Sequence, residues 1–140
     1  MEPHKFTEKS LLAIENAHSK ALSLKNTELS TLHLLNALVT QKDGLVSRIF
    51  EKMKLDLEKI TNDLHESLKS LPTLSNGSTD RIPLSSEMNL ALVHAENEAK
   101  KLKDEYISVE HLLLALTDEG LKGPARKILH NSGVTHKRQI

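Results

Sequence analysis

Cysteine and tryptophan are absent from the sequence, and its aromatic residues are two phenylalanines and one tyrosine. Without cysteine the chain has no disulfide, no thiol nucleophile and no thiolate metal site. Strands favour aromatic and β-branched residues, so a composition with 2% aromatic residues favours helices packed through leucine and alanine. We therefore predict an all-α fold.

Net charge and long apolar runs are missing as well. Since 19 basic residues balance 19 acidic ones, nonspecific attraction to nucleic acid or to anionic lipid is not expected. No run approaches the roughly 20 apolar residues of a membrane-spanning helix, and the N-terminus lacks the apolar core of a signal peptide. We expect a soluble, cytoplasmic chain that binds neither nucleic acid nor membrane, and 140 residues suffice for about one domain.

What the sequence does contain is an internal repeat. Residues 30–38 (STLHLLNAL) return as residues 108–116 (SVEHLLLAL), a shift of 78 positions. Extending this shift backwards aligns Leu12 with Leu90, Ala13 with Ala91, Ala17 with Ala95, Ala21 with Ala99, Leu24 with Leu102 and Lys25 with Lys103. The repeat predicts two copies of one supersecondary unit, each burying its apolar face against the other.

Helix boundaries follow from capping residues and apolar spacing. Five residues suit the N-cap position before such a run: Thr7, Ser30, Asp56, Ser85 and Ser108. Pro124 suits the first position of a further helix. A helix is also predicted over residues 45–54, with four residues buried: Val46, Ile49, Phe50 and Met53.

The domain prediction is a pseudo-twofold duplication of four helices within one domain, residues 1–140. The first copy spans residues 6–71, a linker rich in Ser, Gly and Pro spans 72–84, and the second copy spans 85–140. Residues 135–140 are predicted to begin an eighth helix that the chain does not complete.

Motifs of catalysis are not found. The sequence has no phosphate-binding loop of Walker type, no His-Glu-x-x-His pair and no Gly-x-Ser-x-Gly turn. Its eight histidines are dispersed, and no pair stands four residues apart on a predicted helix, so a metal site is poorly supported. A small hydrolase using Glu110 and His111 is disfavoured because no nucleophile accompanies them.

The repeat preserves two histidines, His33 and His111, each three residues after its capping serine. We interpret both rings as bonding near a helix N-terminus or packing between the copies, in preference to a catalytic or ligand role. Glu110 similarly suits the first turn of its helix, where an acid interacts favourably with the helix dipole.

The opening Phe6-Thr7-Glu8-Lys9, followed by two units that each end in Ser-x-x-His-Leu-Leu-x-Ala-Leu, forms a specific combination. Residues 5 to about 135 resemble the N-terminal domain of Clp-family AAA+ unfoldases. The resemblance implies a pseudo-twofold domain of eight helices that binds other proteins and is not itself an enzyme.

Within that family the sequence is most similar to the ClpB disaggregase branch. ClpC-type domains usually place Glu before the histidine in both copies, where the acids help to bind phosphorylated arginine. Here Glu110 precedes His111 but Leu32 precedes His33, as in ClpB-type domains. Residues 102–110 (LKDEYISVE) are similar to that branch as well, so a paired phosphoarginine site is not expected.

The resemblance also implies a function. ClpB is a hexameric ring that extracts polypeptides from aggregates with energy from ATP, and its N-domain engages exposed apolar segments in a shallow groove. ATP and Mg²⁺ are expected only in the ATPase domains, whereas the N-domain is expected to be a monomer without a cofactor.

Groove residues are carried over by position. The polar positions match Thr7, Asp104 and Glu110, and the apolar lining matches or neighbours Leu92, Tyr106 and His111. An alternative within the family is an adaptor-docking domain of ClpA or ClpC type, or a free-standing Clp accessory subunit. Such a domain would bind one folded partner through the surface of its first helix.

Overall fold

The computed structural model describes residues 3–74 and 81–135. Within these ranges the chain forms a 3-10 helix, Pro3–Lys5, and seven α-helices. The α-helices are α1 Glu8–Ser23, α2 Thr31–Thr40, α3 Leu45–Lys52, α4 Leu57–Lys69, α5 Ser86–Lys101, α6 Val109–Leu116 and α7 Pro124–Asn131. Pairing of extended backbone in these ranges is limited to isolated bridges, so the all-α prediction is confirmed.

The predicted capping residues all precede helices. Thr7, Asp56 and Ser85 accept a hydrogen bond from the backbone N–H three residues later, and Pro124 is the first residue of α7. These starts could be predicted because each cap is satisfied by its own first turn.

Two helix ends differ from the predictions. α3 stops at Lys52 because Lys54 has a left-handed backbone (φ 58°), and Ile49 and Met53 are half-buried instead of buried. The predicted eighth helix falls on residues 136–140, which lie outside the described residues, and Thr135 is not helical.

Helices α2 and α6 form the centre of the fold. Every residue of α6 except Glu110 is buried, and α2 is nearly as enclosed, as expected of helices that are apolar on all sides. α1 packs against α2, and α5 packs against α6, with each outer helix also contacting the central helix of the other copy. The alanine stripes on α1 and α5 are fully buried in these contacts, which explains why the repeat preserves them.

Backbone hydrogen bonds cross between the copies in a symmetrical way. They run from Thr7 N–H to the Ile107 carbonyl (3.0 Å), from Ile107 N–H to Lys5 (2.7 Å), from Ser85 N–H to Leu29 (2.9 Å) and from Leu29 N–H to Pro83 (2.9 Å). Ser85 and Pro83 are the equivalents of Thr7 and Lys5 in the second copy, and Leu29 is the equivalent of Ile107 in the first. The last two bonds are therefore the first two with the copies exchanged. The entry to each outer helix is therefore held by the other copy.

The ends of α1 and α5 are also equivalent. Lys25 (φ 56°) and Lys103 (φ 59°) both adopt the left-handed conformation just beyond the helix. The next residue closes a Schellman motif by donating its N–H five residues back, from Asn26 to Ala21 (3.0 Å) and from Asp104 to Ala99 (2.8 Å). Both copies thus turn sharply between their outer and central helices.

Replacing the left-handed lysine tests this turn. Lys25→Gly should raise the free energy of unfolding by about 1 kcal/mol, because glycine adopts a positive φ without steric cost. Lys20→Gly, at an exposed position inside α1, should instead lower it by about 1 kcal/mol. Urea denaturation measures both, and a destabilised Lys25→Gly protein would contradict the turn.

The close packing of α5 on α6 gives a second prediction. Ala95 is fully buried, so Ala95→Leu should overpack the contact and lower the free energy of unfolding by about 1 to 3 kcal/mol. Asn97→Leu, on the exposed side of α5, is the control and should stay within about 0.5 kcal/mol of the parent chain. Equal stability of the two variants in thermal or urea unfolding would disprove the close contact.

Candidate binding surface

His33 closes the turn between α1 and α2. The Ser30 N–H donates to His33 Nδ1 (3.0 Å), so the imidazole takes the place that Glu or Gln has in a capping box. Since a backbone N–H only donates, the proton of the neutral ring lies on Nε2, which donates to Asn26 Oδ1 (2.7 Å). One buried ring therefore caps α2 and ties it to the end of α1.

The second copy repeats this arrangement around His111. The Ser108 N–H donates to His111 Nδ1 (2.9 Å), and His111 Nε2 donates to Asp104 Oδ2 (2.8 Å). The interpretation of both histidines as bonding near a helix N-terminus is thus confirmed. His111 is buried, and its hydrogen bond holds the Asp104 side chain in place.

The two copies differ in what the histidine holds. Asn26 is only 2% exposed, and its Nδ2 donates to the Pro72 carbonyl (3.2 Å). By contrast, 49% of the Asp104 side chain is exposed. The same turn therefore buries an amide in the first copy and presents a carboxylate to solvent in the second.

Other predicted site residues lie in the same turn, in the helix that follows it or at the start of α1, which is bonded to it. Tyr106, which is 51% exposed, precedes Ile107, and the Ile107 carbonyl accepts the N–H of Thr7. The N-terminus of α1 therefore lies beside the turn between α5 and α6. Glu110 is exposed in the first turn of α6, as predicted. We call Thr7 and the exposed side chains of residues 102–110 the α5–α6 surface.

Leu92 lies elsewhere than expected for a groove residue. It is only 7% exposed and belongs to the core. Leu90 and Val93, which sequence reasoning did not select, are exposed on the outer side of α5. Helical spacing could have identified them, because they are three positions apart and both lie off the buried alanine stripe of α5.

Large exposed apolar side chains are concentrated in the second copy. Among the described residues they are Leu12, Leu24, Leu90, Val93, Leu102 and Tyr106. Four of the six belong to α5 or to the turn that follows it, and two of these, Leu102 and Tyr106, lie in the same turn as Asp104. Apolar contact combined with hydrogen-bond acceptance by carboxylates is the chemistry that residues 102–110 offer.

Two other kinds of site were searched for in residues 3–74 and 81–135. No group of three histidine or acidic side chains there is placed to hold a metal ion. In the same ranges, no helix combines the length and hydropathy needed to cross a bilayer.

Comparison with known proteins places this fold in a family. Residues 5–132 match the Clp repeat (R) N-terminal domain, and the chain belongs to that family. It is 36% identical over 137 residues to the chaperone protein ClpB of Bacillus cereus and 32% identical over 137 residues to that of Clostridium perfringens. Each alignment covers 96% of this chain but 16% of the relative. A ClpB chaperone of Nitratidesulfovibrio vulgaris is 37% identical over 121 residues, which is 85% of this chain and 14% of that protein.

Solved structures support the same fold. The N-terminal domain of Hsp104 from Candida albicans superposes with a TM-score of 0.82 at 22% identity, covering 96% of this chain and 86% of that one. The N-terminal domain of the ClpV1 ATPase from E. coli also gives 0.82 at 22% identity, with 97% and 82% covered. A complex of a ClpV N-domain with VipB peptide gives 0.72 at 17% identity, with 96% and 82% covered.

The buried cap of α2 makes stability depend on pH. Burial, and to a lesser extent the charge of Lys20, lower the pKa of His33 from 6.5 to about 4. The unfolded chain therefore binds a proton at a higher pH than the folded one, and stability is lost as the pH falls from 6.5 towards 4. Between pH 6.5 and 5 the loss should be about 2 kcal/mol.

His33→Gln should remove this part of the pH dependence. Glutamine is a usual residue at this position of a capping box and does not titrate, so the variant keeps a cap for α2. His65→Gln, the same change at an exposed position of α4, should retain the parent chain's loss of stability. Urea unfolding at pH 6.5 and 5 makes the comparison, and an unchanged pH dependence in His33→Gln would contradict the assignment.

Proposed function

We propose that this domain recognises substrates for a ClpB-type, ATP-dependent disaggregase. It binds exposed apolar segments of unfolded or aggregated polypeptides in a shallow groove at the α5–α6 surface. The observation that carries the proposal is that residues 102–110 expose two large apolar side chains, Leu102 and Tyr106, together with two carboxylates, Asp104 and Glu110.

Tyr106 is the central apolar contact in this proposal. Half of this side chain is exposed, while the backbone of the neighbouring Ile107 is fixed by its bonds to the start of α1. A large apolar ring on a rigid support loses little freedom on binding, and it offers area to an apolar segment of any sequence. Leu102, Leu90 and Val93 add to the apolar area of the same copy.

The carboxylates supply the polar part of the surface. Asp104 is held in place by His111 (2.8 Å), and Glu110 projects from the first turn of α6. Exposed acids at the edge of an apolar groove favour the approach of basic chains and increase the association rate more than the affinity. Weak, reversible capture of unfolded segments follows from such a surface.

The relatives suggest the larger assembly. The ClpB chaperones are several times longer than the region that this chain matches. We propose that the domain serves a hexameric AAA+ ring, and that ATP and Mg²⁺ bind in the ATPase domains of such a protein. In this arrangement the domain, as a monomeric module without a cofactor of its own, works in the cytoplasm and delivers captured segments to the ring.

Adaptor docking is the second candidate function. Leu12 is 46% exposed on α1, the surface through which an adaptor would dock. A structural neighbour is a ClpV N-domain bound to VipB peptide, so a related fold accepts a defined partner segment. In this alternative α1 binds one partner, and the α5–α6 surface is not required.

A pair of variants separates the two candidates. Reduced, carboxyamidomethylated ribonuclease A, a soluble and permanently unfolded basic polypeptide, is titrated into the ¹⁵N-labelled chain, with folded ribonuclease A as the reference. Substrate recognition predicts amide shift changes at residues 102–111 with the unfolded form only. Tyr106→Ala should weaken binding about fivefold or more, since it removes a large apolar contact, whereas Leu12→Ala should not.

Equal binding of folded and unfolded ribonuclease A would contradict substrate recognition. Shift changes confined to α1, with affinity lost in Leu12→Ala and kept in Tyr106→Ala, would favour adaptor docking instead.

A further inference from the structure

The first copy of the repeat already binds an extended segment, which is part of its own chain. Leu74 N–H donates to the Lys25 carbonyl (2.7 Å), and Thr73 forms an antiparallel bridge with Asn26. The Asn26 side chain donates to the Pro72 carbonyl (3.2 Å). Residues 72–74 therefore cover the turn between α1 and α2 by backbone pairing, as an added strand does.

The second copy has the same turn, and no described residue covers it by backbone pairing. Lys103 and Asp104 repeat the left-handed backbone and the Schellman closure of Lys25 and Asn26. In the part of the chain that the structure describes, no backbone N–H pairs with the Lys103 carbonyl. Lys103 is exposed, and about half of the Asp104 side chain is as well. Among the described residues, the acceptor that holds the linker in the first copy therefore has no backbone donor in the second.

The first copy has an amide, Asn26, where the second copy has a carboxylate, Asp104. This difference changes which hydrogen-bonding group a bound segment must supply. The amide of Asn26 donates to a backbone carbonyl, whereas a carboxylate can only accept. A peptide lying across the second turn must therefore bring a hydrogen-bond donor to Asp104. The side chain of arginine or lysine does so with a complementary charge, and the exposed Glu110 in the next helix adds to the attraction.

We infer that the Lys103–Asp104 turn binds an extended peptide segment containing a basic residue, which donates a backbone N–H to the Lys103 carbonyl and its basic side chain to Asp104. The inference rests on the proposed function and specifies its substrate class: extended segments in which apolar residues flank an arginine or lysine. Residues 72–74 on the first copy show the mode of binding that the second copy offers to a separate chain.

Three nonapeptides test the inference, each with a core of four residues patterned on residues 71–74 and capped at both ends. The first has Leu-Arg-Thr-Leu at its centre, the second has Leu-Gln-Thr-Leu, and the third carries an N-methyl group on the final leucine of the arginine core. Each is titrated into the ¹⁵N-labelled chain at low salt. The N-methyl group removes the donor for the Lys103 carbonyl and leaves the side chains unchanged.

The arginine peptide should shift the amides of residues 103–106 and bind about threefold or more tightly than the glutamine peptide, as expected for an exposed ion pair. N-methylation should weaken its binding about fivefold, the value of one peptide hydrogen bond. Three results would each overturn the inference. They are equal affinity of the methylated and unmethylated arginine peptides, shift changes away from residues 103–106, and no binding of the arginine peptide.

Asp104→Asn is the matched variant, because Asn26 performs the same structural role with an amide. It should fold, retain the bond to His111 and lose the preference for arginine over glutamine. Glu58→Gln removes one negative charge from an exposed position of α4 and should keep the preference. A preference that persists in Asp104→Asn would overturn the assignment of Asp104.

The same titration with unfolded ribonuclease A separates this inference from the proposed function. If the unfolded protein binds at residues 102–111 and N-methylation has no effect on the peptide, backbone pairing is wrong and substrate recognition stands. If neither unfolded ribonuclease A nor the peptides bind, both proposals fail.

Discussion

The fold depends on one histidine in each copy, His33 and His111, whose ring makes two hydrogen bonds at the same time. In each copy the ring accepts the N–H of the capping serine and donates to the residue that ends the preceding helix, with distances of 2.7 to 3.0 Å. A glutamate in the same place would cap the helix, but as a carboxylate it could not also donate. The imidazole therefore fixes the angle between each outer helix and its central helix. The copies are held to each other by different bonds, the crossed backbone pairs at the start of α1 and of α5.

The duplication is nearly symmetrical in its framework and asymmetrical at its surface. The caps, the left-handed lysines and the crossed backbone bonds all obey the shift of 78 residues. Residues 72–74 cover the first turn, and no described residue pairs in this way with the equivalent turn of the second copy, where about half of the Asp104 side chain is exposed. A binding surface can thus arise from a duplicated fold without a new structural element. The turn of the first copy is covered by the chain itself, and the turn of the second copy is the one at which we propose that a partner binds.

Local signals made most of the framework predictable from the sequence. The starts of α1, α4 and α5 depend on caps within their own first turns, and the repeat indicated which helices are equivalent. The end of α3 was missed because lysine does not favour a left-handed backbone, so its identity at position 54 gave no sign that the helix ends there. The burial of Leu92 depends on how α5 rotates against α6, and the cover over Asn26 depends on a contact between residues 46 positions apart. Such non-local features are not encoded in the spacing of any one helix.

The central proposal is that a partner binds the turn of the second copy and not its equivalent in the first, and cross-saturation NMR tests it most directly. The chain would be perdeuterated and ¹⁵N-labelled, and the protons of bound, unlabelled, unfolded ribonuclease A would be irradiated. If the account is correct, the amides of residues 103–110 lose intensity, while those of residues 25–32, their equivalents in the first copy, do not. Equal losses in the two ranges, or losses confined to residues 25–32, would contradict it.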